Sequence, residues 1–380
     1  MWEETELDNL ITRLVDYRGK TPTKTDSGVK LITAKVIKGG RIVEDAEHEY
    51  IDPMDYDATM RRGIPKIDDI IITTEAPLGE VALIKTNERI AIAQRVILFS
   101  PNIQKVVPQF LYYSFLTQLV QERLYAKATG TTVVGISNPG LKSIKIPLPP
   151  LPLQRQIAAV LGRYDALLEN YQGQVAALEG LALELYREWF VRGRCPGAAV
   201  GSAGELPAGW EVRRLGDVIE LKYGKALIAE DRVPGEFPVV GSSGIVDFHD
   251  EPLINRPGIV VGRKGNVGSV IWLDKPFYPI DTVFYVESEL SSYYLFYDLQ
   301  MQNFISGDAA VPGLNREQAL GNKVVVPDAN SLAEFDRIVG PIFKKRLNLN
   351  NQIDLLRATR DALLPRLLSG QLVPAAAPVA

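Results

Sequence analysis

An internal duplication constrains the fold of this chain more than any other feature of its sequence. The segments 69–84 and 93–96 of the first half have counterparts, in the same order, at 257–271 and 280–283 of the second half. In each half an apolar strand-like segment leads into a glycine-containing loop, and a second strand-like segment follows. The repeat period of roughly 180 residues is too long for a solenoid and indicates a duplicated domain.

A heptad pattern follows each copy of the repeat. Apolar residues recur in alternating steps of four and three from Ile157 to Trp189, and the same steps run from Phe335 to Leu363. This spacing is typical of a coiled-coil helix, so each copy is expected to end in a long helix. Each seam covers about thirty residues, or roughly 45 Å at 1.5 Å per residue.

Three residues of the second helix depart from the apolar pattern. Arg346 and Arg360 occupy seam positions, where a polar residue costs stability but fixes the register and the partner. The two helices are therefore expected to pair with each other or with another chain, and not to self-assemble promiscuously. Pro365 is expected to stop or kink the second helix.

Together these patterns predict an α+β (mixed α/β) fold with β-rich cores and a pseudo-two-fold repeat. A linker rich in glycine and alanine is expected between the copies. The predicted parts are a first β-rich domain at 1–149, a helix at 150–192, a linker at 193–209, a second β-rich domain at 210–330, a helix at 331–370 and a disordered tail at 371–380.

Composition excludes several classes of protein. The chain has 380 residues with one cysteine and two histidines, which excludes an intrachain disulfide and a multi-thiolate zinc site. The formal net charge of −4 argues against a protein held to nucleic acid by overall charge, although local basic clusters can still bind it. No apolar run of about eighteen residues occurs, and the first residues are acidic, unlike a signal peptide, so a cytoplasmic protein without membrane contact is expected.

Sequence motifs for catalysis are missing. Gly19–Thr21 is similar to the end of a phosphate-binding loop, but Leu14 stands where that loop needs a glycine. Gly262, Gly265 and Gly268 lie between two strand-like segments and not between a strand and a helix, so they do not form a dinucleotide site. The Asn/Asp-Pro-Pro-aromatic motif of amino-methylating enzymes is also missing. We therefore expect a chain that is not an enzyme.

Two similar but non-identical domains joined by helices of matched length indicate a device that measures a distance. Half-sites on one face of B-DNA lie about one helical turn apart, roughly 34 to 36 Å, which is within the length of the predicted helices. Because the two copies differ most in their loops, each domain is expected to recognise a different half of an asymmetric, split target.

Six short segments of the chain are recognisable in their order. They are 16–22, 147–157, 185–190, 206–210, 263–268 and 363–370. Together they resemble the specificity subunit of Type I restriction-modification systems, over nearly the whole length of the chain. One departure is the second junction, 327–335, which lacks the glutamine-rich helix start of the first, so the two helices need not contact partners equivalently.

This resemblance implies two target-recognition domains separated by two long antiparallel coiled-coil spacer helices, in a non-catalytic subunit. The implied ligand is double-stranded DNA with an asymmetric bipartite target. The implied protein partners are two adenine-N6 methyltransferase (modification) subunits and the restriction/translocase subunits of a phage-defence system. No cofactor is expected in this chain, whereas S-adenosylmethionine, ATP and Mg are expected in the partner subunits.

Two other functions stay open at this point. One is a single-chain DNA methyltransferase or nuclease with borrowed recognition domains, which would bind S-adenosylmethionine without help. The other is an adaptor that measures something other than DNA, which would show no salt-dependent affinity for DNA.

The glycine loop of the second domain holds the best candidates for DNA contact. Arg263 and Lys264 can neutralise phosphates, and Asn266 can pair with adenine, while the alternative interpretation is a solvated hairpin. The equivalent loop of the first domain carries Glu75, which can accept a hydrogen bond from a cytosine amino group or simply cap the turn.

Other basic and small polar residues are weaker candidates, because isolated surface charges and plain loops need no function. They are Lys20, Lys35, Arg61, Arg62, Gln94, Arg95, Lys127, Thr131, Thr132, Lys225, Ser242, Ser243, Asn315 and Arg316.

Aromatic and aliphatic residues near the helix ends are candidates for contact with a partner subunit. Exposed aromatic side chains anchor interfaces, but burial against the paired helix explains the same residues equally well. The candidates are Tyr186, Trp189, Phe190, Leu363 and Leu367.

Overall fold

A computed structural model of the chain describes residues 2–17, 22–44, 46–130, 133–197, 206–304 and 313–374. The chain divides into two compact units. The first is Met1–Glu169 with Asp354–Ala380, and the second is Asn170–Ile353. Each unit therefore combines one β-rich part with portions of both long helices.

The first unit contains twelve of the described strands, four short helices and the start of a long one. The strands are β1 (Glu3–Glu6), β2 (Ile11–Asp16), β3 (Lys24–Thr25), β4 (Val29–Ile32), β5 (Ile37–Lys38), β6 (Arg41–Ile42), β7 (Glu49–Ile51), β8 (Ile70–Thr74), β9 (Leu78–Leu83), β10 (Ile90–Ile92), β11 (Val96–Pro101) and β12 (Lys145–Leu148). The helices are α1 (Tyr56–Thr59), α2 (Pro108–Phe115), α3 (Gln118–Ala126), α4 (Asn138–Lys142) and the long α5 (Leu151–Tyr186), with 3₁₀ turns at Leu7–Leu10, Ala34–Val36 and Pro53–Asp55.

The central sheet of the first unit is buried on both faces. Its strands follow the order β2-β11-β8-β9, with antiparallel neighbours. Every residue of β8 is buried, and isoleucines dominate it, as expected of a strand covered on both sides. Ile70 and Ile72 pack in one apolar cluster with α2, whereas Ile71 packs in a second cluster with β4 and β10. Because side chains alternate between faces, one strand contributes to two cores.

The second unit contains nine described strands, two shorter helices and the start of the second long helix. The strands are β13 (Glu211–Arg214), β14 (Glu220–Tyr223), β15 (Phe237–Gly241), β16 (Gly244–His249), β17 (Gly258–Gly262), β18 (Val270–Leu273), β19 (Tyr278–Pro279), β20 (Val283–Glu287) and β21 (Lys323–Val326). The helices are α6 (Ser292–Met301), α7 (Arg316–Leu320) and α8 (Ala329–Leu368), with 3₁₀ turns at Leu215–Asp217 and Ala229–Asp231 and a π-helical turn at Arg187–Val191.

The second unit repeats the topology of the first. Its central sheet has the order β14-β20-β17-β18, which matches β2-β11-β8-β9 strand for strand, and the pair β13–β21 matches β1–β12. Ile259 and Val261 pack in the cluster that contains α6, and Val260 packs in a smaller cluster on the other face. The predicted duplication is therefore confirmed. The remaining sheets differ, with the order β10-β4-β7-β3 in the first unit and β16-β15-β19 in the second.

The two long helices confirm the heptad prediction. α5 has 36 residues and α8 has 40, so at 1.5 Å per residue they are about 54 and 60 Å long. Ile157 and Leu161 of α5 are fully buried in the first unit, and Phe335 and Val339 of α8 are fully buried in the second.

One ion pair joins the two long helices within each unit. In the first unit, Nη1 of Arg360 donates a hydrogen bond to Asp165 at 2.9 Å. In the second unit, Nη1 of Arg346 lies 3.6 Å from Oε1 of Glu179. Each seam arginine therefore has a partner on the other long helix of its unit, as expected of residues that fix register.

Arg346 is the more deeply buried of the two arginines, with only 7% of its side chain exposed. Its Nη2 donates to both carboxylate oxygens of Asp274, at 2.9 and 3.0 Å, and its guanidinium lies 4.4 Å from the ring centroid of Phe343. Trp272 Nε1 donates a further hydrogen bond to Asp274 at 2.7 Å. The buried charge is thus compensated by a carboxylate from the β-rich part of the same unit.

Of the two outcomes predicted for Pro365, a stop or a kink of the second helix, the stop does not occur. α8 continues to Leu368. Leu367 and Leu368 are buried in the apolar cluster of the first unit, and this burial offsets the hydrogen bond that proline removes.

Parts of the predicted linker and tail, residues 198–205 and 375–380, lie outside the described residues. In the portion of the chain that the structure covers, none of the helices has the length and apolarity needed to cross a membrane.

Replacing Arg346 by alanine should destabilise the protein by about 2 to 3 kcal/mol, because it leaves the carboxylate of Asp274 in a largely buried site without its cation. Arg337→Ala is the matched control, since this arginine lies on the same helix in an exposed pair with Glu334, which is worth at most about 1 kcal/mol. Urea unfolding of both variants measures the difference. Equal losses would contradict the assignment of Arg346 as a buried register contact.

Candidate nucleic-acid interface

One end of the central sheet of the second unit gathers most of the predicted contact residues of that unit. Arg263 and Lys264 follow β17, and their backbone N–H groups both donate to the carbonyl of Thr282, at 2.8 and 3.1 Å. The N–H of Leu314 donates to the carbonyl of Arg263 at 2.8 Å, which brings the start of α7 to the same place. The basic loop is therefore held by backbone hydrogen bonds on two sides.

The glycines of this loop are required by its shape. The N–H of Gly268 donates to the carbonyl of Gly262 at 2.8 Å, so the loop closes on itself. A side chain at Gly262 would place its Cβ 2.0 Å from the carbonyl oxygen of Asn266, and Gly265 and Gly268 have φ angles of 74° and 77°. The tight loop leaves Asn266 exposed, as the prediction of a DNA contact requires.

Two arginines of the site lie over one tyrosine. The guanidinium of Arg263 is 5.0 Å from the ring centroid of Tyr223, and that of Arg316 is 5.9 Å from it. Arg263 Nη1 also donates to the carbonyl of Asp281 at 3.0 Å, and Arg316 lies 4.0 Å from Glu220. Stacking on an aromatic ring restrains a guanidinium while its N–H edge stays available for a ligand.

Three other candidates of the second unit lie near this loop. The side chain of Ser269 donates to the carbonyl of Ser242 at 2.8 Å, so the turn between β15 and β16 touches the loop, with Ser242 buried and Ser243 exposed. Lys225 follows β14 and is exposed, and its N–H donates to the carbonyl of Pro279 at 3.0 Å.

Asn315 has a local structural role. Its side chain accepts a hydrogen bond from the N–H of Gln318 at 3.1 Å and thereby caps the start of α7. The cap positions the neighbouring Arg316 at the basic loop.

The equivalent end of the first unit carries an ion pair between an acidic loop residue and a basic residue of the neighbouring turn. Glu75, after β8, lies 3.0 Å from Nε of Arg95, which precedes β11. The N–H of Thr74 donates to the carbonyl of Arg95 at 2.9 Å, and the N–H of Ile136 donates to the carbonyl of Thr74 at 3.0 Å. Gln94 is half-buried in the same turn as Arg95.

Of the remaining predicted DNA-contact residues of the first unit, some lie near this end of the central sheet and others do not. Arg62 Nη1 donates to the carbonyl of Asp16 at 2.5 Å, and Asn138, close in sequence to Ile136, donates to the Asp16 carboxylate at 3.0 Å. Lys127 is exposed at the end of α3, beside a segment that pairs with Gly135. Arg61 and Lys35 are exposed, and among the residues that the structure describes no hydrogen bond or ion pair joins them to this cluster. Lys20, Thr131 and Thr132 lie outside the described residues.

The predicted partner-binding residues are mostly buried in the core of the chain itself. Tyr186, Trp189 and Phe190 belong to the main apolar cluster of the second unit, where their rings pack on one another and on Phe335. Tyr186 donates a hydrogen bond to the buried Asp298 at 3.1 Å, and burial raises the pKa of both groups.

Leu367 is buried in the first unit, and Leu363 packs against the same cluster. These side chains are buried or partly buried within the chain itself, and their contact with a partner stays a prediction. The alternative interpretation, burial within the chain, describes them.

Sequence reasoning missed Tyr223 and Asp281. Tyr223 ends β14 and Asp281 lies in the turn before β20, so their proximity to Arg263 depends on strand register. The only signal was their place in the repeat, one residue before the glycine at 224 and one before Thr282.

No group of three or more His, Cys, Asp or Glu side chains that could hold a metal ion occurs among the residues that the structure describes.

Comparison with known proteins identifies the family. The family model described as Type I restriction modification DNA specificity domain matches residues 2–179 and 207–331. The chain is 28% identical over 340 residues to the Type I restriction enzyme MjaIX specificity subunit of Methanocaldococcus jannaschii, covering 80% of this chain and 77% of that protein. It is also 30% identical over 118 residues to the MjaVIII specificity subunit of the same organism, covering 30% of this chain and 27% of that protein.

A solved structure has the same fold. It is the Type I restriction-modification system S subunit from M. genitalium, with a TM-score of 0.61 and 19% sequence identity, covering 99% of this chain and 97% of that one. The family model accounts for most of the chain and matches both copies of the duplication. The chain therefore belongs to the Type I restriction modification DNA specificity family.

Proposed function

We propose that this chain is the DNA-recognition and assembly subunit of a Type I restriction-modification complex, and that it binds an asymmetric bipartite DNA target. Each unit recognises one half of the target with the loops at one end of its central sheet. The long helices dock two adenine-N6 methyltransferase subunits, and the restriction subunits join the same complex. Family membership favours this function over the single-chain methyltransferase or nuclease and over the adaptor.

The observation that carries the proposal is the arrangement of Arg263 and Arg316 over Tyr223 in the second unit, with Lys264 next to Arg263 in the same loop. Three cations lie at one loop cluster of a chain whose overall charge is negative. Such a local cluster can neutralise phosphates and position side chains on base edges, which a uniformly charged surface does not achieve.

Chemistry in the complex is assigned to the partner subunits. As a specificity subunit, the chain recognises DNA and is not itself an enzyme. We place S-adenosylmethionine, ATP and Mg in the methyltransferase and restriction subunits. Methylation of adenine N6 requires the base to leave the helix, so we expect the methyltransferase to flip the adenine beside a duplex that this chain holds. The site of action is the cytoplasm.

Long-read mapping of modified bases tests this function. DNA is sequenced from cells that express the methyltransferase of the same system, with and without this chain. We expect an asymmetric, split N6-methyladenine motif that disappears when the chain is deleted. Exchanging residues 1–149 for those of another specificity subunit should change one half of the motif only. An identical set of methylated sites with and without the chain would contradict the proposal.

Replacing Arg263 or Lys264 by alanine should weaken binding of the assembled complex to its DNA target. A loss of about 1 to 3 kcal/mol, or roughly 5- to 160-fold, is expected for a contact to a base edge, and a phosphate contact should lower the salt slope by about one. Lys275→Ala is the control, because this exposed lysine lies beyond the opposite end of β18 from the basic loop. Fluorescence anisotropy at several salt concentrations gives both quantities. Equal affinities for all three variants would show that this loop is not part of the DNA interface.

Tyr223→Ala should weaken DNA binding by roughly 2- to 10-fold, because each arginine loses a cation–π contact of about 0.5 to 1 kcal/mol that restrains it. Tyr223→Phe keeps the ring and should retain near-normal affinity. The same anisotropy assay compares the two variants. If phenylalanine is as damaging as alanine, the hydroxyl and not the ring is what the site uses.

A further inference from the structure

Both units carry one acid–base pair between the loop after the buried central strand and the turn before its neighbour. In the first unit the acid is on the loop, at Glu75, and the base is on the turn, at Arg95. In the second unit the base is on the loop, at Lys264, and the acid is on the turn, at Asp281, with 3.6 Å between Nζ and Oδ2. Both pairs join the same loop to the same turn with reversed polarity. On the turn, Asp281 comes one residue before Thr282, which is the residue equivalent to Arg95.

Backbone hydrogen bonds establish that the two loop positions are equivalent. Thr74 donates to the carbonyl of Arg95, and in the second unit Arg263 donates to the carbonyl of Thr282. Thr74 and Arg263 therefore occupy the same place in the repeat. The residues that follow them, Glu75 and Lys264, are equivalent in turn.

The other sides of the two loops agree with this alignment. The carbonyls of Thr74 and Arg263 accept from the N–H groups of Ile136 and Leu314, each at the start of the last short helix of its unit. Glu75 pairs with Gly135 in an isolated bridge, and Lys264 pairs with Gly313 in the same way.

The pairs are not needed to hold the loops. Backbone hydrogen bonds already fix each loop on two sides. The side chains of the pairs are between 38% and 54% exposed, and an exposed ion pair adds little to stability. Charged side chains that are positioned but weakly bound to each other are free to exchange partners when a ligand arrives.

The edge of a G·C base pair in the major groove offers the matching pattern. Guanine presents two adjacent acceptors, N7 and O6, and cytosine presents one donor, the N4 amino group. A cation next to a carboxylate complements that order, with the cation on guanine and the carboxylate on cytosine. An A·T pair has its donor between two acceptors and does not match. A phosphate would repel the carboxylate, so the pair as a whole is unsuited to the DNA backbone.

We propose that each unit reads one G·C base pair with its loop–turn ion pair, and that the two units read it in opposite orientations. In the first unit guanine lies beside the turn, at Arg95. In the second unit guanine lies beside the loop, at Lys264. This inference rests on the proposed role in DNA recognition and specifies the base pair that the two loops select.

The first test uses the unaltered complex and modified DNA. Once the methylated motif has been mapped, 7-deazaguanine, which lacks the N7 acceptor, replaces each guanine of the motif in turn. We expect binding to weaken about 5- to 50-fold at one guanine in each half. No loss at any guanine of the motif would overturn the proposal, whatever the behaviour of mutated chains.

The second test links these positions to the residues. The variant with Glu75→Lys and Arg95→Glu reverses the polarity of the first pair and preserves its net charge. In the assembled complex, base-modification mapping should find G·C exchanged for C·G at one position of one half, with the other half unchanged. The variant with Lys264→Glu and Asp281→Lys should do the same for the other half.

A neutral variant serves as the matched control. With Glu75→Gln and Arg95→Gln, the 7-deazaguanine effect should disappear in the first half and persist in the second. Swapped variants that methylate the parent motif would overturn the proposal. The proposal would also be overturned if the swapped variants lost affinity equally for all DNA sequences and their binding depended less steeply on salt. That result would identify a phosphate contact. Absence of any split motif with the unaltered chain would instead refute the proposed function itself.

Discussion

Burial of the central strands on both faces determines where this protein can carry polar chemistry. β8 has every residue buried, and three of the five residues of β17 are apolar and buried with a buried glycine beside them. Such strands have no face left for charged groups, because an unpaired buried charge is too costly. Polar side chains are therefore confined to the ends of the strands. The loops after β8 and β17 are the first positions along the chain where charges are tolerated, and the candidate interface lies there in both units.

The basic loop was predictable, whereas its partners were not. Arg263, Lys264 and Asn266 stand among glycines between two strand-like segments, so composition and spacing identify them. Tyr223 and Asp281 reach the same place through the pairing of β14 and β17 with β20. Strand register is decided by packing across the whole sheet, and a single sequence does not specify it.

For the long helices too, the sequence predicts local features but not contacts with distant segments. The heptad pattern located both seams and identified Arg346 as a polar seam residue, since that information is local. It did not identify Asp274, which comes from a turn distant in sequence. It also failed to separate an aromatic residue that faces a partner from one that faces the core. Trp189 and Phe190 fit either role by spacing, and only the position of Phe335 and its neighbours decides that they are core.

The duplication explains how two halves with one fold can carry different recognition surfaces. The loops are held by main-chain hydrogen bonds, which any side chain permits, and by glycines at the few places where a Cβ would collide. Replacing an acid by a base at the position of Glu75 and Lys264 therefore disturbs neither the backbone nor the buried clusters. Side chains whose exchange costs little stability are free to diverge while the fold is kept. Specificity in such a protein can change one loop at a time, because the interactions that stabilise each unit and those proposed to contact DNA are carried by different atoms.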